Sequence, residues 1–584
     1  MDFLISNISF SNSNRLGDNL FYFGNLCILD EEFVGFYEGY LMDRDTKDFS
    51  TYIKKGLEWT NVEGAYYIIS FNLQSNRLEI KNDKRATIPL YIYQKNENFA
   101  ISNNVWLLVE YFYQSIAIDI VGLKMQLAYF NDFHPTRTLF ENIERVDGAC
   151  YYNYTGNQGL VKKKYWEFQY DSSSDKMKLR DIVEKCDDDF SFFFKEIRRQ
   201  NNDAILGFGN SGGFDSRLIA YYASKEKIPF RAYVFGEKKP NYILDSTTTL
   251  LSGKIGECLD FETKFIPYKS ENILNYFFLD IRNAPFLYSQ LFINPYDKVD
   301  FFDYMVSGDP GGIMYLSDRV LTGDVEQLKL HANYFVGTRR WSILGWRAAL
   351  RKSFFHLGIK YDELQEDGIC GLKTSWIDKL MIDFDLSCLV DEMNACVDLI
   401  GGENNVERWI RCHDKMTTKY QYRSGYDSLN GTKKSYMLYY PCYYDMLPKI
   451  SLDYFKDRKI LKEIIKMIGN GLDQIPGQNM QYVYDKPHSL LFYFKKMEMA
   501  LRGRGLSVAY LLKSSDYERI VMPIIQRDNP LFYAIVDKKK FIQSKFWKEY
   551  VGMNFVKIKL LLDIFYYKEF SLLEKDKFEF ATWS

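Results

Sequence analysis

A glycine-rich run, Ser211-Gly212-Gly213-Phe214-Asp215-Ser216, contains the residue types that hold a phosphate group. Glycines let a backbone approach a ligand closely, and the N–H groups at a helix start attract anions. Ser211 and Ser216 add hydroxyl groups, and Asp215 is a natural ligand for a magnesium ion bound to phosphate. The Gly-Lys-Ser/Thr ending of a Walker-type loop is absent. The run is therefore either a pyrophosphate loop or an ordinary tight turn at the end of a strand.

The segments around this run predict the elements that position it. An apolar strand over 204–208 leads in and a helix over 217–223 follows; strands and helices then alternate as strand 230–235, helix 245–258, strand 262–266 and strand 303–306. Such alternation predicts a doubly wound parallel sheet, whose ligands bind beyond the carboxyl ends of the strands. A second glycine-rich turn, 307–312, also falls at such an end.

The first 170 residues or so have a different pattern. They contain short strand-like runs at 65–71, 77–80, 90–93 and 150–154, and helical spacing at 105–112 and 121–130. This pattern predicts a layered α/β domain. An amphipathic helix over 181–199 leads into the second part, and residues 325–584 are mainly helical in pattern.

Composition excludes several classes of protein. The chain has 584 residues, enough for two or three domains, and its 75 basic and 77 acidic residues argue against a dedicated nucleic-acid-binding protein. Nine scattered cysteines without a CxxC pair and only five histidines predict reduced thiols and no structural zinc. Neither a signal peptide nor an apolar run near ~20 residues is present, so we expect a cytoplasmic protein with no membrane partner.

Together, these motifs resemble the asparagine synthetase family and its relatives, the β-lactam synthetases and lasso-peptide cyclases. The glycine-rich run resembles the family's S-G-G-x-D-S loop, and the other similar segments, in chain order over roughly 60–490, are Val62–Tyr66, Asn82–Tyr91, Thr138–Ile143, Tyr165-Trp166, Val306–Gly312 and Tyr440–Asp445. Several motifs in the expected structural context make this resemblance more specific than the loop alone.

The resemblance implies an N-terminal glutaminase-like α/β/β/α sandwich (1–175) joined to an ATP-pyrophosphatase domain with a doubly wound parallel sheet and a helical C-terminal part (176–584). Family enzymes adenylate a carboxylate with ATP and Mg²⁺, release pyrophosphate and let an amine attack. The implied pyrophosphate and nucleotide contacts are Ser211, Gly212, Gly213, Asp215, Ser216, Val234, Phe235, Ser307 and Gly308. Asp215 and Asp309 are the implied metal ligands, and Lys486, after Ile475-Pro476, is the implied catalytic lysine.

Several positions depart from the family pattern. Asp2 stands where the family's glutaminases have a nucleophilic cysteine, so we expect no glutamine hydrolysis. Gly312 replaces the second magnesium carboxylate, leaving Asp309 as either a substitute ligand or a turn residue. The charged Glu-Val-Arg of the family becomes 437–439, Met-Leu-Tyr, which predicts a substrate other than aspartate. Lys486 is either the catalytic lysine or a surface lysine.

The sequence thus predicts an ATP-dependent amide-forming ligase acting on a small-molecule or peptide carboxylate. The alternative is a catalytically impaired nucleotide-binding or scaffold protein, favoured by Gly312 and the altered 437–439 segment. Adenylation coupled to sulfur transfer is weakened by the absence of CxxC pairs. Composition indicates neither the substrates nor the oligomeric state.

Overall fold

The computed structural model describes part of the chain, and the structural statements below refer to that part. The described residues are 3–10, 12–16, 18–28, 31–42, 49–59, 62–112, 117–123, 134–156, 159–170, 176–202, 204–236, 246–267, 302–308, 392, 395–396, 398–404, 406–408, 410–411, 415, 435–438, 446–455, 458–477, 526, 533 and 536–543.

Strands dominate the first part of the chain and alternate with helices after it. The described strands are β1 (Leu4–Ser6), β2 (Asn14–Leu16), β3 (Leu20–Phe23), β4 (Cys27–Ile28), β5 (Phe33–Leu41), β6 (Gly64–Asn72), β7 (Arg77–Asn82), β8 (Tyr91–Lys95), β9 (Asn98–Ser102), β10 (Ile143–Arg145), β11 (Cys150–Tyr154), β12 (Leu160–Lys164), β13 (Leu206–Gly209), β14 (Phe230–Gly236), β15 (Thr263–Pro267), β16 (Tyr304–Ser307) and β17 (Ser435–Met437). The described helices are α1 (Phe49–Lys55), α2 (Val105–Phe112), α3 (Leu179–Asn201), α4 (Phe214–Lys225), α5 (Ser246–Leu259), α6 (Lys459–Ile468) and α7 (Lys538–Gln543).

Two six-stranded antiparallel sheets form the N-terminal part. Their strand orders are β10-β8-β9-β1-β3-β2 and β12-β11-β7-β6-β5-β4. The longest pairing joins β5 to β6, from Phe33 opposite Asn72 to Leu41 opposite Gly64. Successive side chains of a strand point to opposite faces, so β6 buries Tyr67 and Ile69 on one face and Tyr66 and Ile68 on the other. Both faces of this central strand are therefore covered.

The two sheets pack face to face between helices. The ring of Phe3 on the first sheet stacks on Phe36 of the second with centroids 4.4 Å apart, and Phe99 meets Tyr154 edge-on at 4.9 Å. Helix α2 covers the outer face of the first sheet, where Phe112 stacks on Tyr93 of β8. Helix α1 covers the outer face of the second sheet in a separate apolar cluster. The layers therefore follow the α/β/β/α order that the family resemblance implies.

The third sheet is parallel in each described pairing, with strand order β15-β14-β13-β16-β17. From β13 the chain passes to β14 and β15 on one side, and its later strands β16 and β17 lie on the other side. The strand order therefore reverses between β13 and β16, which is the switch point where ligands bind in open α/β sheets. This strand order is that of a doubly wound sheet, as the sequence predicts.

The boundaries of the elements that the sequence predicts agree with the structure to within a few residues. Helix α2 spans the predicted 105–112, and α3 spans two residues more than the predicted 181–199 at each end. The sequence pattern missed helix α1 and the strands β1 to β5, β9, β10, β12 and β17. Most of the helix predicted over 121–130, and most of the helical C-terminal part, lie outside the described residues.

The parallel sheet and the sandwich contact one another directly. Tyr40 of β5 packs against Tyr436 of β17, with ring centroids 4.7 Å apart, and against Phe193 of α3. The Tyr170 hydroxyl donates a hydrogen bond to the Ile450 carbonyl (3.1 Å). Of the helices in the described ranges, none is both long enough and apolar enough to cross a membrane.

Candidate functional site

The glycine-rich run forms the connection between the central strand of the parallel sheet and the helix behind it. Strand β13 ends at Gly209, Asn210 to Gly213 form the turn, and α4 begins at Phe214. Ser307 ends the neighbouring strand β16, and Gly308 follows it. Both predicted turns therefore flank the point where the strand order reverses.

The backbone of this loop requires glycine at one position. Gly212 has φ +76°, and a Cβ atom there would lie 2.6 Å from the Cβ of Leu251 on α5. Gly213 has an ordinary φ of −74°, and its N–H donates to the Ser211 hydroxyl at 3.4 Å. The Ser216 hydroxyl donates to the Gly213 carbonyl at 3.0 Å, which holds the turn to the helix.

The N-terminus of α4 carries no side-chain cap from the described residues. The first N–H groups of a helix have no partner within the helix, and its dipole favours negative charge there. Most natural helices satisfy these groups with a Ser, Thr, Asp or Asn side chain at the cap position, where this helix has Gly213. The end of the helix is therefore suited to an anionic ligand.

Gly308 lies directly against Asp215. A Cβ atom at Gly308 would lie 2.5 Å from the Asp215 Cβ, so a larger residue could not stand there without moving the aspartate. Asp215 is half-buried in the first turn of α4. The structure thus brings the glycine-rich run together with Ser307-Gly308, the described start of the second turn, although the two are far apart in the chain.

Asn210 fixes the end of β13, a role that the sequence did not indicate. Its buried side-chain amide donates to the Ser252 carbonyl (3.2 Å) and to the Thr263 hydroxyl (2.9 Å). The Ser252 hydroxyl donates to the Asn210 carbonyl. These contacts attach the start of the loop to α5 and β15.

Arg217 is the second residue that sequence reasoning missed. Its side chain is fully buried in α4, and it donates to the carbonyls of Gly212 (3.1 Å), Leu472 (3.0 Å), Ile475 (2.6 Å) and Pro476 (2.5 Å). Burial lowers the pKa of its guanidinium to about 10. The available signal was an arginine directly before the apolar run Leu218-Ile219-Ala220 of this helix.

The remaining predicted residues fall partly within the described chain. Val234 is buried in β14, Phe235 follows it on the same strand, and Ser307 accepts a hydrogen bond at its carbonyl from the Leu438 N–H (3.0 Å). Asp309 and Lys486 lie outside the described residues, as does Gly312.

Asp215 is the carboxylate at this loop that could ligate a metal ion. Among the described residues, no three His, Cys, Asp or Glu side chains gather closely enough to hold a metal. Asp215 beside an uncapped helix N-terminus suits a magnesium ion that takes its other ligands from phosphate and water. The described donor set is therefore compatible with Mg²⁺ bound together with a phosphate ligand.

The altered 437–439 segment lies at the same edge of the sheet. Met437 pairs with Ser307 at the end of β17, and Leu438 after it is fully buried. An apolar, buried residue therefore occupies the middle of the segment where the family has Glu-Val-Arg. Tyr439 lies outside the described residues.

The start of the sandwich is tied to the end of β9. The Phe3 N–H donates to the Asn103 side chain (3.2 Å), and the Ser102 hydroxyl donates to the Phe3 carbonyl (2.5 Å). Cys27 lies on the edge strand β4 of the other sheet. Burial raises the pKa of Cys150 to about 11, so this thiol is protonated at neutral pH and is a poor nucleophile.

Comparison with known proteins adds limited information. No protein-family model and no curated protein matches the chain. Its fold is similar to a structure of the allosteric regulatory enzyme of purine biosynthesis, with 10% identity and a TM-score of 0.16 over 41% of this chain and 60% of that chain. It is also similar to glutamine phosphoribosylpyrophosphate amidotransferase from B. subtilis complexed with ADP and GMP, with 10% identity and a TM-score of 0.15 over 38% of this chain and 51% of that chain.

The chain therefore spans less than two thirds of the length of either neighbour. Likeness at this identity and TM-score says nothing about activity. The architecture rests on the sheets described above, and the function rests on the chemistry of the site.

Proposed function

We propose that this chain is an ATP-dependent amide-forming ligase of the asparagine synthetase type that does not hydrolyse glutamine itself. The observation that carries the proposal is the contact between Gly308 and Asp215 at the switch point of the parallel sheet. It places an acidic residue, a glycine loop and an uncapped helix N-terminus at the edge where such sheets bind ligands.

In the proposed reaction, an oxygen of the substrate carboxylate bonds to the α-phosphorus of ATP as pyrophosphate leaves. An amine then forms the amide bond at the activated carbonyl carbon, AMP leaves, and the amine gives up a proton. A magnesium ion bound with the nucleotide would neutralise charge on the leaving pyrophosphate.

The residues of this chain would contribute binding and positioning. N–H groups of Ser211 to Ser216 would hold the pyrophosphate oxygens, and Asp215 would ligate the magnesium ion. Val234, Phe235, Ser307 and Gly308 would surround the nucleoside. Lys486 would add a positive charge near the pyrophosphate, and Asp309 would be the second metal ligand.

The amine would come from the substrate or from free ammonia. The hydrogen-bonded start of β1 supports a scaffold role for the sandwich. Met437 and Tyr439, in place of the two charged residues of the family's Glu-Val-Arg, support a carboxylate substrate other than aspartate. Peptides, sugar acids and small metabolites are the candidate classes.

A second candidate function is a nucleotide-binding protein that has lost catalysis. Gly312 in place of an acidic residue favours it, because the second magnesium carboxylate of the family is then missing. Under this alternative the loop binds ATP but releases no pyrophosphate.

The test is pyrophosphate release from ATP and Mg²⁺ with a panel of amino acids, sugar acids and peptides. Wild type should release pyrophosphate with at least one class, and Asp215→Ala should not. Asp181→Ala is the matched control, because Asp181 is an exposed acidic residue in the first turn of α3. Failure of wild type to bind ATP in calorimetry would exclude both candidate functions, and binding without release from any carboxylate would favour the second.

A further inference from the structure

The most unusual charge near the loop is the buried guanidinium of Arg217. Its side chain is 0% exposed, and the four hydrogen bonds described above all go to carbonyl oxygens. Within the described ranges, no carboxylate pairs with it and its Nε atom has no hydrogen-bond partner. The cation therefore has dipoles around it but no counter-charge from these residues.

Such an arrangement is unfavourable in the folded protein unless another group compensates it. Removing a cation from water costs several kcal/mol, and a paired anion normally offsets this. The depressed pKa of Arg217 has the same origin in burial. Because the residue begins the second turn of α4, an anion bound at the start of that helix would bring opposite charge close to it.

Arg217 also fixes the orientation of a loop peptide. The Gly212 carbonyl accepts a hydrogen bond from the guanidinium at 3.1 Å. In a trans peptide the carbonyl and the following N–H point in opposite directions. The bond to Gly212 therefore turns the Gly213 N–H away from Arg217, towards the Ser211 hydroxyl on the other side of the turn.

The same side chain joins the loop to a distant segment. The carbonyls of Leu472, Ile475 and Pro476 surround the guanidinium, and this segment precedes Lys486 in the chain. A movement of the loop is therefore transmitted to 472–476 through one planar group with a rigid set of donors.

We propose that Arg217 is the positioning residue of the loop, and that a pyrophosphate group bound there supplies its missing counter-charge. The proposal rests on the proposed function, since it takes a nucleotide or pyrophosphate as the ligand. Arg217 itself touches the loop and not the ligand. Binding of the anion and ordering of 472–476 are then one coupled event.

The test measures binding of inorganic pyrophosphate with Mg²⁺ by titration calorimetry in the full chain. Arg217→Met should bind about tenfold more weakly than wild type, the scale of one lost charge interaction. Arg217→Lys keeps the positive charge but loses the planar set of guanidinium donors. Its affinity should therefore lie between those of Arg217→Met and wild type. Arg145→Met is the control, because Arg145 is also buried and donates to a carbonyl, that of Ala86, in the sandwich.

The outcomes separate the two proposals. Equal affinity in wild type and Arg217→Met overturns the role of Arg217 alone, as does an equal loss in the Lys and Met variants or a comparable loss in Arg145→Met. A wild type that binds neither pyrophosphate nor ATP overturns the proposed function and this inference with it.

A measurement on wild type alone covers the case in which the Arg217 variants do not fold. Hydrogen exchange of peptides spanning 472–475 should slow at least about threefold when pyrophosphate and Mg²⁺ are added. Exchange that slows in the loop but not in this segment would overturn the coupling.

Discussion

Two tight turns of this protein begin at the end of a strand and contain an aspartate. They differ in whether a carboxylate of the turn accepts hydrogen bonds from the backbone N–H groups. In the sandwich, Asp83 follows β7, and its carboxylate accepts hydrogen bonds from the N–H groups of Tyr66, Arg85 and Thr87 and from the Thr87 hydroxyl. In the parallel sheet, Asp215 lies beside Gly308 in the first turn of α4, and no described side chain caps the start of that helix.

The difference separates a closed turn from an open one. The Asp83 carboxylate occupies the place that an external anion would take, so the turn at 82–87 holds the sandwich together. At the loop 211–216 the Gly213 N–H donates to the Ser211 hydroxyl (3.4 Å), and we propose that a ligand anion takes the place at the start of the helix. A glycine or an aspartate in a turn is therefore weak evidence for a binding site until the partners of the N–H groups are known.

The largest expected effects come from replacing each of the two aspartates by alanine, which should impair function at Asp215 and stability at Asp83. Asp215→Ala should reduce pyrophosphate release about a thousandfold, because it removes a metal ligand from the charge that develops in the transition state. Its free energy of unfolding in urea should stay within about 0.5 kcal/mol of wild type. A large loss of stability with intact release would place Asp215 in the closed class instead.

Asp83→Ala should have the opposite effect. It leaves several buried donors without an acceptor and should lower the free energy of unfolding by about 3 kcal/mol. Folded Asp83→Ala should still bind pyrophosphate with wild-type affinity. Asp188→Ala, an exposed position within α3, is the control and should change stability by less than about 0.5 kcal/mol.

The two adjacent glycines test the shape of the open loop. Gly212→Ala should weaken pyrophosphate binding and lower stability by about 2 kcal/mol, since it combines a positive φ with a close approach to Leu251. Gly213→Ala has an ordinary φ and meets the Ser211 hydroxyl at 3.3 Å, so its effect should be less than half as large. Calorimetry and urea unfolding measure both quantities, and equal effects would show that the backbone conformation is not decisive.

Lys81, on the strand that leads into the closed turn, gives a pH test. Burial lowers the pKa of this lysine to about 8, against ~10.4 in an unfolded chain. Below pH 8 it is protonated in both states, and between these values the unfolded state binds more protons. The free energy of unfolding should therefore rise with pH by about 1 kcal/mol per unit above pH 8.

The measurement is urea unfolding at pH 7.5, 8.5 and 9.5, with Lys81→Met as the reference. The difference in free energy of unfolding between wild type and Lys81→Met should change with pH. The affinity for pyrophosphate should follow the same pH profile in both proteins. If the free energies of unfolding of wild type and Lys81→Met changed in parallel with pH, the lowered pKa of Lys81 would be contradicted.

The smallest expected effect concerns strain in the closed turn. Ala86, in the turn at 82–87, has φ +51°, in the left-handed region that favours glycine. Ala86→Gly should stabilise the protein by about 0.5 kcal/mol in urea unfolding, because relief of the left-handed backbone exceeds the added chain entropy. Ala100→Gly, in strand β9, should destabilise it, and stabilisation by both changes would contradict the argument.

Hydrophobic periodicity was sufficient for the elements with a strong local signal. Helix α2 and strands β6, β11 and β14 were predicted within a few residues because each repeats its apolar positions with a clear period. Strands β1 to β5 were missed because most are short and lie among polar turns, and pairing with distant strands stabilises them. The glycine loop was predicted from residue types, whereas Asn210 and Arg217 were not, since most of their partners are 42 or more residues away in the chain.

By itself, the sequence determined the periodicity of these elements, the composition of the glycine loop and the absence of a cysteine at position 2. These are local properties, fixed by side-chain chemistry and backbone preference. The tertiary structure decided which turn is open, that Gly308 packs against Asp215, and that Arg217 joins the loop to 472–476. Those facts depend on which distant groups meet, because a hydrogen bond or a collision is set by distance in space and not by separation along the chain.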